Sequence, residues 1–266
     1  MALLRQLPGW IYLVMGFAFI FLPVGILVLF SFTSSSIPLP PFKGPSLQWY
    51  ERLFSNERLV EALINSVIVA SLSSLVATTL GFLAAYSIAR NPSRWDGAMR
   101  YAVMAPITVS YLIIGMGLLI SFHVMGVPKS LWAVGAGHVV INLPLCFGIV
   151  LAALGEHQRN IERAAHDLGA SDFQALWLIT VPILRPSLFA AFCLSFTLSW
   201  DEFIIAFLLT RFDVTLPVML FEMLRSGQNP ELNAAGSVVF GISMSVVLIA
   251  ILFTISRRKP LTLPRR

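Results

Sequence analysis

The sequence predicts an all-α polytopic membrane protein whose chain crosses the bilayer six times, and three observations predict it. First, 57% of the 266 residues are hydrophobic and only 12% are charged, whereas an ordinary soluble domain carries about 25% charge. Second, the mean hydropathy is +0.83, and the apolar residues gather in six long runs. A hydrocarbon core about 30 Å thick takes roughly 20 residues of helix, which each run supplies. Third, the basic residues behind the net charge of +5 flank these runs instead of clustering on a polar domain. That is the pattern of topology signals, not of a nucleic-acid surface.

The runs are 10–32, 60–89, 101–127, 131–154, 186–210 and 234–255. The first exceeds the roughly 7–15 apolar residues of a cleaved signal peptide, so it predicts a retained span, although the small residues of SFTSSS after it leave cleavage open. Residues 33–59 include SSSIPLPPFKGPSLQWY, whose prolines and glycine argue against a helix. Trp49 and Tyr50 are candidate interfacial anchors there, and the segment reads equally as a connector or a contact site. The second run, NSVIVASLSSLVATTLGFLAAY, is full of small residues that let helix backbones approach closely in lipid, so it belongs inside a bundle. Pro106 and Pro144 remove a backbone donor each and are expected to bend the third and fourth spans.

Charge sets the orientation. Twelve basic residues lie on the side of the two termini: Arg5, Arg90, Arg94, Arg100, Arg159, Arg163, Arg185, Arg257, Arg258, Lys259, Arg265 and Arg266. Six lie on the other: Lys43, Arg52, Arg58, Lys129, Arg211 and Arg225. The positive-inside bias therefore predicts cytoplasmic termini. Cys146 and Cys193 sit within apolar runs and read as small hydrophobes. His123 and His138 lie in spans and read as hydrogen-bonded packing residues, while His157 and His166 read as solvated. No H-E-x-x-H or C-x-x-C pair supports a metal site.

One stretch breaks the apolar pattern: ERAAHDLGASDFQALWLITVP, residues 162–182. Ile161, Ala164, Ala165 and Leu168 have helical spacing over 160–168, and Gly169 stands where a left-handed cap is expected. Ser171 and Gln174 have the spacing of a capping box that starts a second helix ending at Pro182, with Phe173, Leu176 and Trp177 on its apolar face. From these residues alone the insert is either an amphipathic connector at the membrane surface or a docking element for a cytoplasmic partner.

The segment resembles the cytoplasmic loop of permease subunits of ATP-binding-cassette importers. The pattern there is Glu-Ala-Ala, three residues, Gly, nine residues, Ile, one residue and Leu-Pro. Ala164, Ala165, Gly169 and Ile179 match, and Val181-Pro182 stands for Leu-Pro. The first position departs: it is Arg163, with Glu162 one residue earlier. The resemblance covers about 60–255, with the first span as an extra helix. It implies the type I importer permease fold, and an ATPase-coupling loop at about 155–182 made up of Glu162, Arg163, Ala164, Ala165, Asp167, Gly169, Ala170, Ile179 and Pro182. It further implies two ATP-binding subunits, a second permease subunit and an external solute-binding protein as partners. No Gly-Lys dipeptide occurs, so a phosphate-cradling G-x-x-x-x-G-K-[ST] loop is absent. The chain is accordingly expected to be no enzyme and to bind no cofactor, with ATP hydrolysed on the partner ATPase. The corresponding organisation is an N-terminal span and outer loop, 1–59, a permease core, 60–256, and a basic tail, 257–266.

A second polar stretch, LSWDEFIIAF at 198–207, places two acids in the fifth run. A charged side chain at a helix centre costs roughly 2.5–3.5 kcal/mol to insert. Either the acids face a cavity that attracts a cation, with Trp200 and Phe203 adding ring contacts, or the span ends near Leu198 and FIIAFLL forms a short second element. The stretch resembles the fifth span of spermidine/putrescine permeases, and TLPVMLFEMLRSGQNPELNA at 215–234 resembles their outer loop. That resemblance implies a polyamine as solute and Tyr111, Trp200, Asp201, Glu202 and Phe203 as pathway residues, although Tyr111 stands where such permeases often carry an acid. Iron(III), thiamine or an anion is the alternative cargo. An autonomous channel or secondary transporter is the alternative class.

Overall fold

The structure is a computed structural model that describes residues 2–36, 42–91, 93–227 and 230–257. The predicted basic tail beyond Arg257, and Pro38, Pro40 and Pro41 of the outer loop, lie outside the described residues. The regular elements among the described residues are all helical. They are α1 (Ala2–Ser31), α2 (Gln48–Ser55), α3 (Glu57–Arg90), α4 (Asp96–Met104), α5 (Tyr111–Val124), α6 (Leu131–Ala153), α7 (Glu156–Asp167), α8 (Asp172–Ala175), α9 (Val181–Trp200), α10 (Ile204–Leu209), α11 (Leu216–Ser226) and α12 (Pro230–Arg257). Among them, five segments are long and apolar enough to cross a membrane: Gly9–Ser31, Glu57–Arg90, Leu131–Ala153, Asp172–Trp200 and Pro230–Phe253. The remaining predicted span, the third, is a bent pair, Asp96–Thr108 and Tyr111–Val124.

The chain divides into two compact units. The first comprises Met1–Glu61 and Val218–Ile242. Here the end of α1 is tied to α2. The Trp49 indole N–H donates to the Thr33 carbonyl at 2.7 Å, and the Tyr50 and Ser31 hydroxyls are 2.8 Å apart. Trp49 and Leu53, one helical turn apart, are buried. The helix at 48–55 corrects the expectation of a non-helical 33–59 segment. The prolines and Gly44 all precede Leu47, so nothing downstream interrupts a short amphipathic helix. Trp49 is likewise an internal residue of this unit, not an exposed interfacial anchor. In the same unit a Cβ added to Gly236 of α12 would stand 3.2 Å from Leu27 of α1, so glycine permits that approach.

The second unit, Ala62–Pro217 and Ser243–Arg266, is built on α3, α6 and α9. Phe82, Ala85 and Ile88 of α3 pack with Phe147 and Val150 of α6 and Leu184 of α9. Lipid tails are as apolar as these side chains, so association within a bilayer rests on close packing and polar contacts. Gly81 supplies the close packing: a Cβ there would lie 2.7 Å from the Phe147 amide nitrogen. The small-residue run of the second span is thus the element whose backbone meets a neighbour. Cys146 and Cys193 are buried free thiols, as their setting in apolar runs predicts.

Two expected spans are not single helices. The third, 101–127, breaks at the turn that follows Pro106, and its two halves make an angle of 106°. Pro106 opens a tight 3₁₀ turn, and Val109 and Ser110 then adopt extended ψ angles near 137°, which no helix tolerates. The fifth, 186–210, ends at Trp200, and the short helix α10 follows after three residues. The early-ending alternative is therefore the one found. By contrast, α6 runs through Pro144 without a break in its assigned helix. In the packing of the unit, α10 is wedged between α5 and α6. Gly115 and Gly137 both stand where a Cβ would collide with Leu208 or Ile205.

Candidate functional site

The polar insert between α6 and α9 is a tightly closed hairpin. Helix α7 begins earlier than its periodicity suggests, at Glu156, because the Gln158 side chain accepts the Gly155 N–H at 3.2 Å and stabilises the first turn. It ends in a Schellman closure. Gly169 takes φ +91° and donates to the His166 carbonyl at 2.9 Å, while Ala170 donates to the Ala165 carbonyl at 3.0 Å. Ser171 and Gln174 then form the expected capping box: the Gln174 N–H reaches the Ser171 hydroxyl at 3.3 Å, and the Ser171 N–H reaches the Gln174 amide oxygen at 2.9 Å. The second helix does not stop at Pro182, contrary to expectation. It passes through a π-helical turn, Leu176–Thr180, directly into α9, so Pro182 lies within a continuous helical segment.

The hairpin separates its residues into two faces. Arg163, Ala164, Asp167 and Gly169 point outward, and Leu168, expected on the packed stripe, is 90% exposed. Phe173 and Trp177 touch each other, ring centroids 6.1 Å apart, and remain open to the surroundings, whereas Leu176, the third residue of the predicted apolar face, packs against the Phe82 and Phe147 cluster. Ala170, Ile179 and Pro182 are half-buried. Glu162 and Ala165 face inward, and Glu162 is 4% exposed. Its carboxylate is bracketed by the Arg90 guanidinium, with Nε on one oxygen and Nη2 on the other at 3.1 Å. The Thr180 hydroxyl donates to the second oxygen at 2.7 Å. A cleft of about 310 Å³ opens beside this cluster, with Arg159, Arg163 and His166 on its wall.

The two adjacent acids of the fifth run have different surroundings. Asp201 is exposed, whereas Glu202 is 6% exposed and caps α10 by accepting the N–H groups of Ile204, Ile205 and Ala206 at 2.9, 2.9 and 3.3 Å. A carboxylate held there sits on the positive end of that short helix. Trp200 is buried and stacked on Phe196 at 6.2 Å, which corrects the expectation of a ring presented to a solute. Phe203 is half-buried against Phe207, and Tyr111 is 37% exposed at the start of α5. The exposed members of the expected pathway set are thus Asp201 and Tyr111.

Comparison with known proteins places this architecture. A family model described as the inner membrane component of binding-protein-dependent transport systems matches residues 77–258.

The chain belongs to that family.

Among relatives of this inner membrane component, the putrescine transport system permease protein PotI of Escherichia coli (strain K12) is 32% identical over 249 residues, 90% of this chain and 88% of its own length. The spermidine/putrescine transport system permease protein PotC of Haemophilus influenzae is 30% identical over 239 residues, 90% of this chain and 93% of its own length. Among solved structures, a bacterial alginate ABC transporter in complex with an alginate pentasaccharide-bound periplasmic protein aligns at TM-score 0.72 with 17% identity, over 96% of each chain. The MetNI methionine ABC transporter aligns at TM-score 0.59 with 14% identity, over 77% of this chain and all of its own. These two likenesses establish the fold.

Sequence reasoning missed two clusters of this transport component. Arg90 carried only a topology signal and Thr180 none, because their meeting with Glu162 spans 72 and 18 residues of chain. The second is a polar seam through α3, α6 and α9. The Ser199 hydroxyl lies 2.9 Å from that of Ser73 and 2.6 Å from His138 Nδ1, and His138 Nε2 faces Glu202 at 3.4 Å. A serine, a histidine and an acid meet here, but His138 is 1% exposed and Ser199 4%, which leaves no route for a substrate. The seam ties three spans together, as hydroxyls and imidazoles do in lipid. His138 is the hydrogen-bonded packing residue its sequence setting predicts.

Proposed function

We propose that this inner membrane component is the permease subunit of an ATP-driven importer whose cargo is a polyamine of the putrescine or spermidine class. The hairpin at 155–182 carries the proposal. It is closed by two caps, it joins the end of one span to the start of another, and its outer face of Arg163, Ala164, Asp167, Gly169, Phe173 and Trp177 is left exposed by the described residues. An ATP-hydrolysing subunit gripping that face drives the spans between inward- and outward-facing states. The chain binds no nucleotide itself in this reading. Two ATPase subunits, a second permease subunit and a solute-binding protein complete the machine. The twelve-to-six division of basic residues supports cytoplasmic termini, with the hairpin on the same side in the bacterial inner membrane.

The polyamine assignment draws on the relatives PotI and PotC, whose names state putrescine and spermidine/putrescine transport. It also draws on the exposed Asp201 carboxylate, beside a partly open aromatic residue, Phe203. A dication is held by carboxylates and ring faces together. The test is uptake of radiolabelled putrescine and spermidine into vesicles. Flux is expected only when ATPase, partner permease, binding protein and ATP are all present. Flux with this chain alone would establish a channel or secondary transporter instead. Coupled uptake of another solute, with polyamines excluded, would retain the permease and discard its cargo.

A further inference from the structure

We infer that Glu162, Arg90 and Thr180 form an internal strut that transmits movement of the docking helix α7 to two membrane spans. The inference rests on the permease reading and adds positioning residues to it.

The geometry sets Glu162 apart from its neighbours on the hairpin. Arg163 and Ala164 follow it on the open face, but Glu162 is buried, its carboxylate held by Arg90 and Thr180. The three hydrogen bonds it accepts come from two elements other than its own. Arg90 is the last residue of α3, the span whose Gly81 meets α6 backbone to backbone. Thr180 is the last residue of the π-helical turn that leads into α9. In that turn the Thr180 hydroxyl also lies 3.3 Å from the Ala175 carbonyl, so one side chain links the turn to the carboxylate. Single π-turns within helices recur at functional positions because they redirect a side chain that a regular helix would point elsewhere.

The chemistry favours a rigid link over a hinge. A guanidinium fork on a carboxylate has two parallel N–H to O contacts and therefore fixes orientation as well as distance. One turn back on α3, Tyr86 lies with its ring 5.9 Å from the guanidinium carbon. Without this cluster, α7 is joined to its neighbours through the backbone at its two ends, through the inward-facing Ala165 and half-buried Ile161, and through the His166 contacts to Ala170 and Asp172. A force applied to the outer face of α7 would then rotate the helix about its ends. With the cluster in place, α7, the end of α3 and the start of α9 move as one body. A buried ion pair is a poor source of net stability, since an apolar pair of similar volume commonly does as well. A directional mechanical link is a role that an apolar pair cannot reproduce.

The test uses the complete transporter in vesicles, with the cognate binding protein purified together with whatever solute it carries. Two quantities are read: ATPase retained by the permease, and the increase in ATP hydrolysis when binding protein is added on the opposite side. Glu162→Gln and the apolar pair Arg90→Leu/Glu162→Leu are expected to retain the ATPase and lose at least fivefold of the stimulation. The exchanged pair Arg90→Glu/Glu162→Arg is expected to recover at least half of it. Full stimulation in the apolar pair would reduce the cluster to packing and overturn the inference, as would loss of assembly in all three variants. Failure of the unaltered chain to retain any ATPase would remove the permease reading, and the strut with it. Normal retention and stimulation in Glu162→Gln would remove the strut alone.

Discussion

Replacing Gly81 by alanine asks whether α3 and α6 are held by backbone approach. The added Cβ would stand 2.7 Å from the Phe147 amide nitrogen, 2.9 Å from the Cys146 Cβ and 3.0 Å from the Cys146 carbonyl carbon. Favourable contact between such atoms needs about 3.5–4.0 Å, so the helices must part by roughly 1 Å. The atoms concerned belong to a helix backbone and a Cβ, and none can swing aside as a side-chain tip would. Overpacking of this kind costs about 1–3 kcal/mol, and parting the helices also loosens the Phe82, Phe147 and Leu184 cluster. Against it works the intrinsic helix preference of alanine over glycine, about 1 kcal/mol. Gly148 lies on α6 one residue beyond Phe147, and a Cβ there meets nothing within 4 Å. Gly148→Ala therefore carries only the favourable term. In detergent-denaturation curves Gly81→Ala should lose stability while Gly148→Ala is unchanged or gains, a difference of about 1–3 kcal/mol between the two. Equal curves for the pair would refute close backbone packing as what holds this bundle together.

Further outcomes follow from the hairpin and the acids. Gly169→Val forces a β-branched residue to φ +91°, at about 1–2 kcal/mol, and nothing lies within 4 Å of its Cβ, so membrane insertion should be normal while co-purification of the ATPase falls. Ser171→Ala removes the cap of α8 at about 1 kcal/mol, and amide hydrogen exchange at 172–175 should quicken while that of α6 stays as it was. Asp201→Asn should lower putrescine uptake with normal yield of folded protein. Glu202→Ala, which frees three N–H groups, two of them buried, should instead lower the yield. The reverse assignment of those two effects would mean that the capping acid, not the exposed one, meets the solute.

Much of the architecture is legible in the sequence because its causes are local. A run of about 20 apolar residues has few alternatives to a membrane helix, since backbone groups in lipid must pair within their own segment. The Gly169 closure and the Ser171 and Gln174 cap are also local: each needs only residues within five positions, and both stand where the spacing places them. Position in an apolar run does not by itself give burial: Cys146, Cys193 and His138 are buried, whereas His123, read in the same way, is exposed.

What only the tertiary structure decided depends on partners distant in sequence. Periodicity treats Glu162 as part of a polar face, and nothing near it announces that Arg90, 72 residues away, will close over it. Asp201 and Glu202 read as one acidic pair. They separate because the chain turns at Trp200 and the N–H groups that open α10 donate to one carboxylate and leave the other exposed. The third span reads as one apolar run, but its right-angle bend rests on two extended residues after Pro106, and α5 is packed in place by α10 meeting Gly115. Hydropathy records how gladly a residue leaves water. It carries no record of which buried donor will find which buried acceptor, and that pairing is settled only when the helices pack.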